Sequence, residues 1–232
     1  MAASCETAWV LVLWDFDGTL ATRRGMWSGA VIEALDDDDR DHGITTQQIR
    51  DAMRSRYPWD AWQEPHPQLC ERERWWSHVE GVIAQALERA GLALERAPRV
   101  ARAARERYLD TSRAWTLFDD ALPALDALAQ RGWRSAILSN HVPELPDLVA
   151  ALGLDARVEA VFSSALTGYE KPHPEAFRLA LRECGNPSRA WMVGDNPTAD
   201  VDGARAVGLP AILVRAGEGL DAAAERILSS DA

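Results

Sequence analysis

Apolar residues in this chain follow two patterns. The first is the short unbroken run. Residues 9–14 (Trp-Val-Leu-Val-Leu-Trp) open the series, and comparable runs recur at 135–138, 158–162, 190–193 and 210–214. Such runs predict strands buried on both faces, as in a parallel sheet. The second pattern has the period of a helix. It marks 121–130, before Gly132, and 174–184, where Pro174 suits a first turn and Gly185 a stop. Phe177, Ala180 and Leu181 share one face of that second helix. A smaller helix is expected over 200–207. Strands alternating with helices predict an α/β fold, a parallel sheet flanked by helices on both faces.

Residues 21–112 break the alternation, and only helical patterns are legible there. A short helix is expected over 27–35. Ile49, Met53 and Tyr57 recur at a spacing of four and predict a helix over 46–57. Trp76, Val79, Val82, Ile83, Ala86 and Leu87 form one stripe over 75–90, closed by Gly91. A last helix spans 98–109, opening on Pro98 and running through Val100, Ala104 and Tyr108. The chain thus divides into a core, 1–20 with 113–232, and an inserted α-helical block, 21–112. Asp36, Asp37, Asp38, Asp39 and Asp41 read as a solvated acidic loop before Gly43, without the spacing of a calcium loop. Arg96, Arg99, Arg102, Arg105 and Arg107 read as a solvated helix face partnered by Glu95 and Glu106.

Composition narrows the class without changing the fold. The 232 residues suffice for a sizeable core, and 47% apolar with 26% charged residues is ordinary for a globular protein. A formal charge of −11 argues against nucleic acid as a partner, but local cations and a metal can still hold a small anion. Cys5, Cys70 and Cys184 form no paired spacing, which disfavours a disulfide framework or a cysteine-rich zinc site. Residues 1–7 lack the basic region of a signal peptide, and the apolar run after them meets Asp15 too early to span a membrane. The expectation is a cytoplasmic protein with no membrane partner; the oligomeric state is not legible.

Candidate chemistry sits where the predicted strands end. Asp15-Phe16-Asp17-Gly18-Thr19-Leu20 follows the first strand. Side chains at i and i+2 project to one side of a strand, so Asp15 and Asp17 can reach one cleft. Gly18 permits a sharp turn and a close backbone approach. Ser139-Asn140 follows the second run, and its hydroxyl and next amide suit phosphate oxygens. Lys171 lies in Gly168-Tyr169-Glu170-Lys171-Pro172-His173-Pro174, where the following proline keeps it out of a helix. Gly194-Asp195-Asn196-Pro197-Thr198-Ala199-Asp200 follows the run at 190–193. Taken singly, these are a turn, a surface lysine and a helix-terminal acid.

Taken together and in this order, the four segments resemble the motifs of the haloacid dehalogenase superfamily: DxDGT, a Ser/Thr after a strand, a Lys before proline, and GDxxxxD. The resemblance covers 1–20 and about 113–232, and it implies a Rossmann-like core with an inserted C1-type helical cap at 21–112. It further implies a Mg²⁺-dependent phosphatase acting on a small phosphorylated metabolite. Asp15 would attack phosphorus to give an aspartyl-phosphate, and Asp17 would serve as general acid and then base. Ser139, the Asn140 amide and Lys171 would hold the phosphoryl oxygens. Asp15, Asp195, Asp200 and the backbone carbonyl of Asp17 would serve the metal, a hard-oxygen set.

Asp17 also separates branches of the superfamily. Dehalogenases lack an acid at that place, and phosphonate-cleaving members replace it and use a cap lysine, whereas no lysine lies between Asp15 and Lys171 here. A phosphomutase or phosphotransferase is the nearest alternative. A phosphorylation-switch module of the receiver type is disfavoured by the helical insert and by the spacing of Asp15 and Asp17, and a non-catalytic phosphate-binding protein on this fold by the presence of every expected catalytic side chain. In the block, Trp27, Trp59, Trp62, Trp75 and Trp76 are expected mainly as packing. Residues 57–67, bounded by prolines, are a candidate substrate-facing loop, with His66 open between a part in that loop and a plain surface position.

Overall fold

A computed structural model describes residues 9–54, 57–112 and 114–230. Cys5 and the segment 1–7 lie outside the described residues. In chain order the elements begin with strands β1 (Val10–Trp14) and β2 (Ala21–Arg23). Helices α1 (Met26–Asp38), α2 (Thr46–Ala52), α3 (Arg72–Arg89) and α4 (Ala97–Leu109) follow, with two 3₁₀ turns, Pro58–Ala61 and Pro67–Leu69, between α2 and α3. Next come β3 (Trp115–Leu117), α5 (Ala121–Ala129), β4 (Trp133–Ser139), α6 (Leu145–Ala151), β5 (Ala160–Ser163) and α7 (Ser164–Thr167). The chain closes with α8 (Pro174–Glu183), β6 (Arg189–Gly194), α9 (Gly203–Ala206), β7 (Ala211–Leu213) and α10 (Leu220–Ser229).

Five strands form one parallel sheet in the order β5-β4-β1-β6-β7. All five strands read from the apolar runs are present. Their continuous apolar character has the expected cause, since both faces of β1 are covered. Val12 and Trp14 enter one apolar cluster, while Leu11 and Leu13 enter the other, with Met192 and Phe177. Trp14 spends its one polar atom on Ser135, Nε1–H to Oγ at 3.1 Å. Strand β1 is central, with β4 on one side and β6 on the other. The strand order therefore reverses beside β1, which makes the C-terminal end of β1 the natural ligand crevice of an open α/β sheet.

The helical block lies between β2 and β3. Its packing residues, among them Trp75, Trp76, Ile83, Val100 and Tyr108, belong to the same apolar cluster as Val12 and Trp14. The interior of the block is thus continuous with one face of the sheet. Residues 21–112 are not wholly helical as expected. Ala21–Arg23 is a strand, and it pairs antiparallel with Trp115–Leu117 to form a ribbon at the root of the block. Three residues are too few for an alternation to show.

Four further expectations need correction. The helix expected over 46–57 is capped by a Thr45–Gln48 box but spans only Thr46–Ala52. Tyr57 precedes Pro58, which favours extended backbone, and Tyr57 sits at φ −83, ψ 160. The acidic run is not a loop: Asp36, Asp37 and Asp38 form the last turn of α1. Acids are disfavoured at a helix C-terminus, but α4 supplies compensating guanidiniums. Arg96 and Arg99 pair with Asp38, Arg96 also reaches Asp39, and Arg107 pairs with Asp37. The arginine region of α4 is therefore an inter-helix clamp, and Arg105 pairs with Glu73, Glu80 and Glu144 rather than with its neighbours on α4. Finally, the helix expected over 200–207 is a π turn, Pro197–Asp202, running into α9. Among the described residues, no helix is long and apolar enough to cross a membrane.

Candidate active site

Three strand ends and one loop converge on the crevice beside β1. Asp15 follows β1, Ser139 closes β4, Asp195 follows β6, and Lys171 lies beyond α7 on the loop before α8. Asp15 Oδ1 accepts from Ser139 Oγ and from Lys171 Nζ, both at 2.8 Å. Thr19 Oγ1 lies 3.5 Å from Asp15 Oδ2. Lys171 Nζ also donates to Asp200 Oδ1 at 2.5 Å. Asp15, Lys171 and Asp200 are all buried, at 6%, 3% and 1% exposure, so these charges meet where water screens them little. Burial alone would lower the lysine pKa, but the Asp15 and Asp200 carboxylates more than offset it and hold the ammonium above its ordinary value.

Local backbone shape brings the acids together. Gly194 ends β6 where an added Cβ would sit 2.1 Å from Asp200 Oδ2. The absence of a side chain there lets Asp200 fold back on the strand end. Its Oδ2 accepts the Asn196 N–H at 2.9 Å, and the Asn196 side chain caps the π turn through the Thr198 and Ala199 amides. Gly18 adopts φ +77, and a Cβ there would meet Asp195 Oδ2 at 2.3 Å. The two glycines thus let the Asp195 and Asp200 carboxylates approach the backbone closely.

One carboxylate oxygen from each of Asp15, Asp195 and Asp200 falls within a 4.8 Å cluster. Burial, reinforced by Asp15, pushes the Asp195 carboxyl up to about 6. Burial likewise raises Asp200, with Lys171 opposing. Three carboxylate oxygens gathered at one buried point form a hard donor set that fits a small divalent cation. The Asp17 carboxylate is outside this cluster. Its Oδ2 lies 3.4 Å from Tyr108 Oη and 3.6 Å from His141 Nε2.

All the core residues singled out in the sequence are thus brought to one end of the sheet. Asn140 has a role that sequence reading missed. Its Nδ2 donates to the Lys171 carbonyl at 2.8 Å and its Oδ1 accepts the Lys171 N–H at 2.7 Å, fixing the lysine loop against β4. Tyr108 and His141 were also missed. His141 directly follows Asn140, which was a usable signal; Tyr108 lies 91 residues from Asp17 and carries none.

In the helical block, His66 is not a surface residue. It is 6% exposed, its N–H donates to the Gly168 carbonyl at 3.0 Å, and its Nε2 stands 3.3 Å from the buried Glu170 carboxylate. The segment 57–67 therefore docks on the lysine loop. Trp75 and Trp76 are buried, as expected of packing residues. Trp27, Met53, Tyr57, Trp59 and Arg50 line a cavity of about 420 Å³ in the block.

Residues 10–208 match the family model of haloacid dehalogenase-like hydrolases. The chain is 31% identical over 221 residues to haloacid dehalogenase-like hydrolase domain-containing protein 3 of Mus musculus, covering 92% of this chain and 84% of that one. It is 41% identical over 140 residues to a phosphoserine phosphatase of Thermus thermophilus; that match covers 60% of this chain and 55% of the other. Among solved structures, a 2-haloacid dehalogenase from Pseudomonas syringae superposes with a TM-score of 0.66 at 22% identity, over 97% of this chain and 100% of that one, a likeness of fold alone. With a family match that takes in the three convergent strand ends and the lysine loop, the chain belongs to the haloacid dehalogenase-like hydrolases.

Proposed function

We propose that this hydrolase is a phosphatase that cleaves a small-molecule phosphate monoester through an aspartyl-phosphate on Asp15. The observation that carries the reading is the Asp15 carboxylate, held by Ser139 and Lys171 at the switch point beside Asp195 and Asp200. Two relatives named for phosphatase activity, on phosphoserine and on phosphoglycolate, point the same way. Asp17 argues against dehalogenation, which needs no proton donor beside the nucleophile.

In the first step a carboxylate oxygen of Asp15 attacks phosphorus and the ester P–O bond breaks. Asp17 gives its proton to the departing oxygen. In the second step Asp17 takes a proton from water as the water oxygen attacks the aspartyl-phosphate. The bond between phosphorus and Asp15 then breaks, and inorganic phosphate leaves. Lys171, Ser139 Oγ and the Asn140 amide hold the phosphoryl oxygens through both steps and stabilise their charge. Asp15, Asp195, Asp200 and the backbone carbonyl of Asp17 would hold Mg²⁺, which supplies positive charge to the phosphoryl oxygens. We read the helical block as a cap that shields the reaction from bulk water, docked through His66 on the Lys171 loop.

The test is phosphate release from a panel of sugar phosphates, phosphoglycolate, phosphoserine, nucleotides and an aryl phosphate, with Mg²⁺ and with EDTA. Release that needs Mg²⁺ is the expected result. Halide release from a 2-haloacid without phosphate release from any ester would overturn the reading.

A further inference from the structure

Asp17 meets a different set of groups from Asp15. Its Oδ2 lies 3.4 Å from Tyr108 Oη and 3.6 Å from His141 Nε2, and Tyr108 Oη and His141 Nε2 are 3.4 Å apart. Neither partner is on a rim, since Tyr108 is 1% and His141 2% exposed. Ring packing holds both. Tyr108 lies flat on Trp27 at 3.9 Å and meets Trp115 edge-on at 5.5 Å. His141 meets Phe16, the residue before Asp17, edge-on at 5.3 Å, and its N–H donates to Ser164 Oγ.

Burial, aided by Asp17, holds the Tyr108 hydroxyl well above its ordinary pKa, so it stays a neutral donor. Among the described residues, His141 Nδ1 and Asp17 Oδ1 have no hydrogen-bond partner. One tautomer links the three residues in series: His141 donates from Nε2 to Tyr108 Oη, and Tyr108 donates to Asp17 Oδ2, with His141 Nε2 adjacent to that carboxylate at 3.6 Å but not bonded to it. Asp17 Oδ1 is then the oxygen left to exchange a proton. Packing alone would be served by Phe and Leu, without burying a hydroxyl and an imidazole.

We propose that Tyr108 and His141 are positioning residues that orient the Asp17 carboxylate for proton transfer, Tyr108 tying the helical block to that carboxylate. The inference rests on the phosphatase reading, with Asp17 as acid and base. The Tyr108–Asp17 contact at 3.4 Å is a long hydrogen bond, and His141 stands beside the same oxygen at 3.6 Å.

A good leaving group needs no proton, whereas an alkoxide does. The test therefore compares an aryl phosphate with the best aliphatic ester of the panel, in the Mg²⁺-loaded enzyme. It follows first-turnover release of the phenol or alcohol, which isolates the leaving step. Tyr108→Phe and His141→Leu should slow the aliphatic ester by up to about 10²-fold, the scale of a small misplacement of a catalytic group. The aryl ester should lose far less. His141→Gln keeps an N–H near the Nε2 place and should recover most of the aliphatic rate. Tyr108→Phe removes one oxygen and keeps the ring, so it guards against a folding defect in the His141 variants. Equal loss on both esters, or no loss, in folded Tyr108→Phe overturns the positioning role while Asp17→Asn still discriminates between esters. Lack of discrimination by Asp17→Asn overturns the acid/base reading and this inference with it.

Discussion

In the proposed mechanism the chemistry depends on Asp15. Its Oδ1 already takes hydrogen bonds from Ser139 and Lys171, so removing its charge alters reactivity more than shape. Asp15→Asn is isosteric. It should lower turnover by about 10⁴-fold or more, the scale of losing a nucleophile, while thermal unfolding stays cooperative. Steady-state phosphate release beside a melting curve checks this; a folded Asp15→Asn variant with normal turnover removes Asp15 from the nucleophile's place. The residue scale also explains Gly194. A Cβ 2.1 Å from Asp200 Oδ2 would push that carboxylate off the strand end, so the glycine of the GDxxxxD segment is a geometric requirement of Asp200.

Between elements, the clearest electrostatic device joins α1 to α4. Hydrogen bonding from Arg96, aided by Arg99, holds the Asp38 carboxyl below its ordinary 3.8 against the opposing effect of burial. A carboxyl lowered in the folded state binds fewer protons there than in the unfolded chain. Its stabilisation is therefore present above pH 3.8 and is lost as pH falls through the lower folded value. Asp38→Asn should accordingly lower the melting temperature at pH 7. The gap between variant and parent should close as both are titrated below pH 3.8. Melting curves across that range test the sign, and a gap that widens in acid contradicts the clamp.

For the whole molecule, the acids proposed to hold Mg²⁺ should make stability depend on pH and cation together. Burial raises Asp195 to about 6 from an ordinary 3.8. In the metal-free protein this group binds more protons folded than unfolded, so its contribution to stability falls as pH rises from 3.8 to about 6. A divalent cation bound at these acids would reverse that penalty. Mg²⁺ should raise the melting temperature at pH 7.5. Below about pH 6 its apparent affinity should fall about tenfold per pH unit for each proton displaced. Asp195→Asn should flatten the pH slope in EDTA and remove most of the Mg²⁺ shift. An equal Mg²⁺ shift in parent and variant would place the cation elsewhere.

How much was legible follows the range of the forces involved. The five strands, the helices at 121–130 and 174–184, and the core segments carrying Asp15, Asp17, Ser139, Lys171, Asp195 and Asp200 could be read from the chain. Each depends on local apolar periodicity or on a turn written in adjacent residues. The short strand Ala21–Arg23, the π turn at Pro197–Asp202 and the early end of α2 were lost where a few residues carry too little pattern or a proline overrides it. The destiny of polar side chains was least legible. Asp38 lies 58 residues from Arg96, His66 is far along the chain from Glu170, and Tyr108 is 91 residues from Asp17. By itself the sequence determined the α/β alternation, the insertion of the helical block and the residues placed at strand ends. Only the tertiary structure decided which charges pair, which histidines are buried and what surrounds Asp17. Those outcomes depend on burial and on contacts across long chain separations, and neither leaves a local mark on the chain.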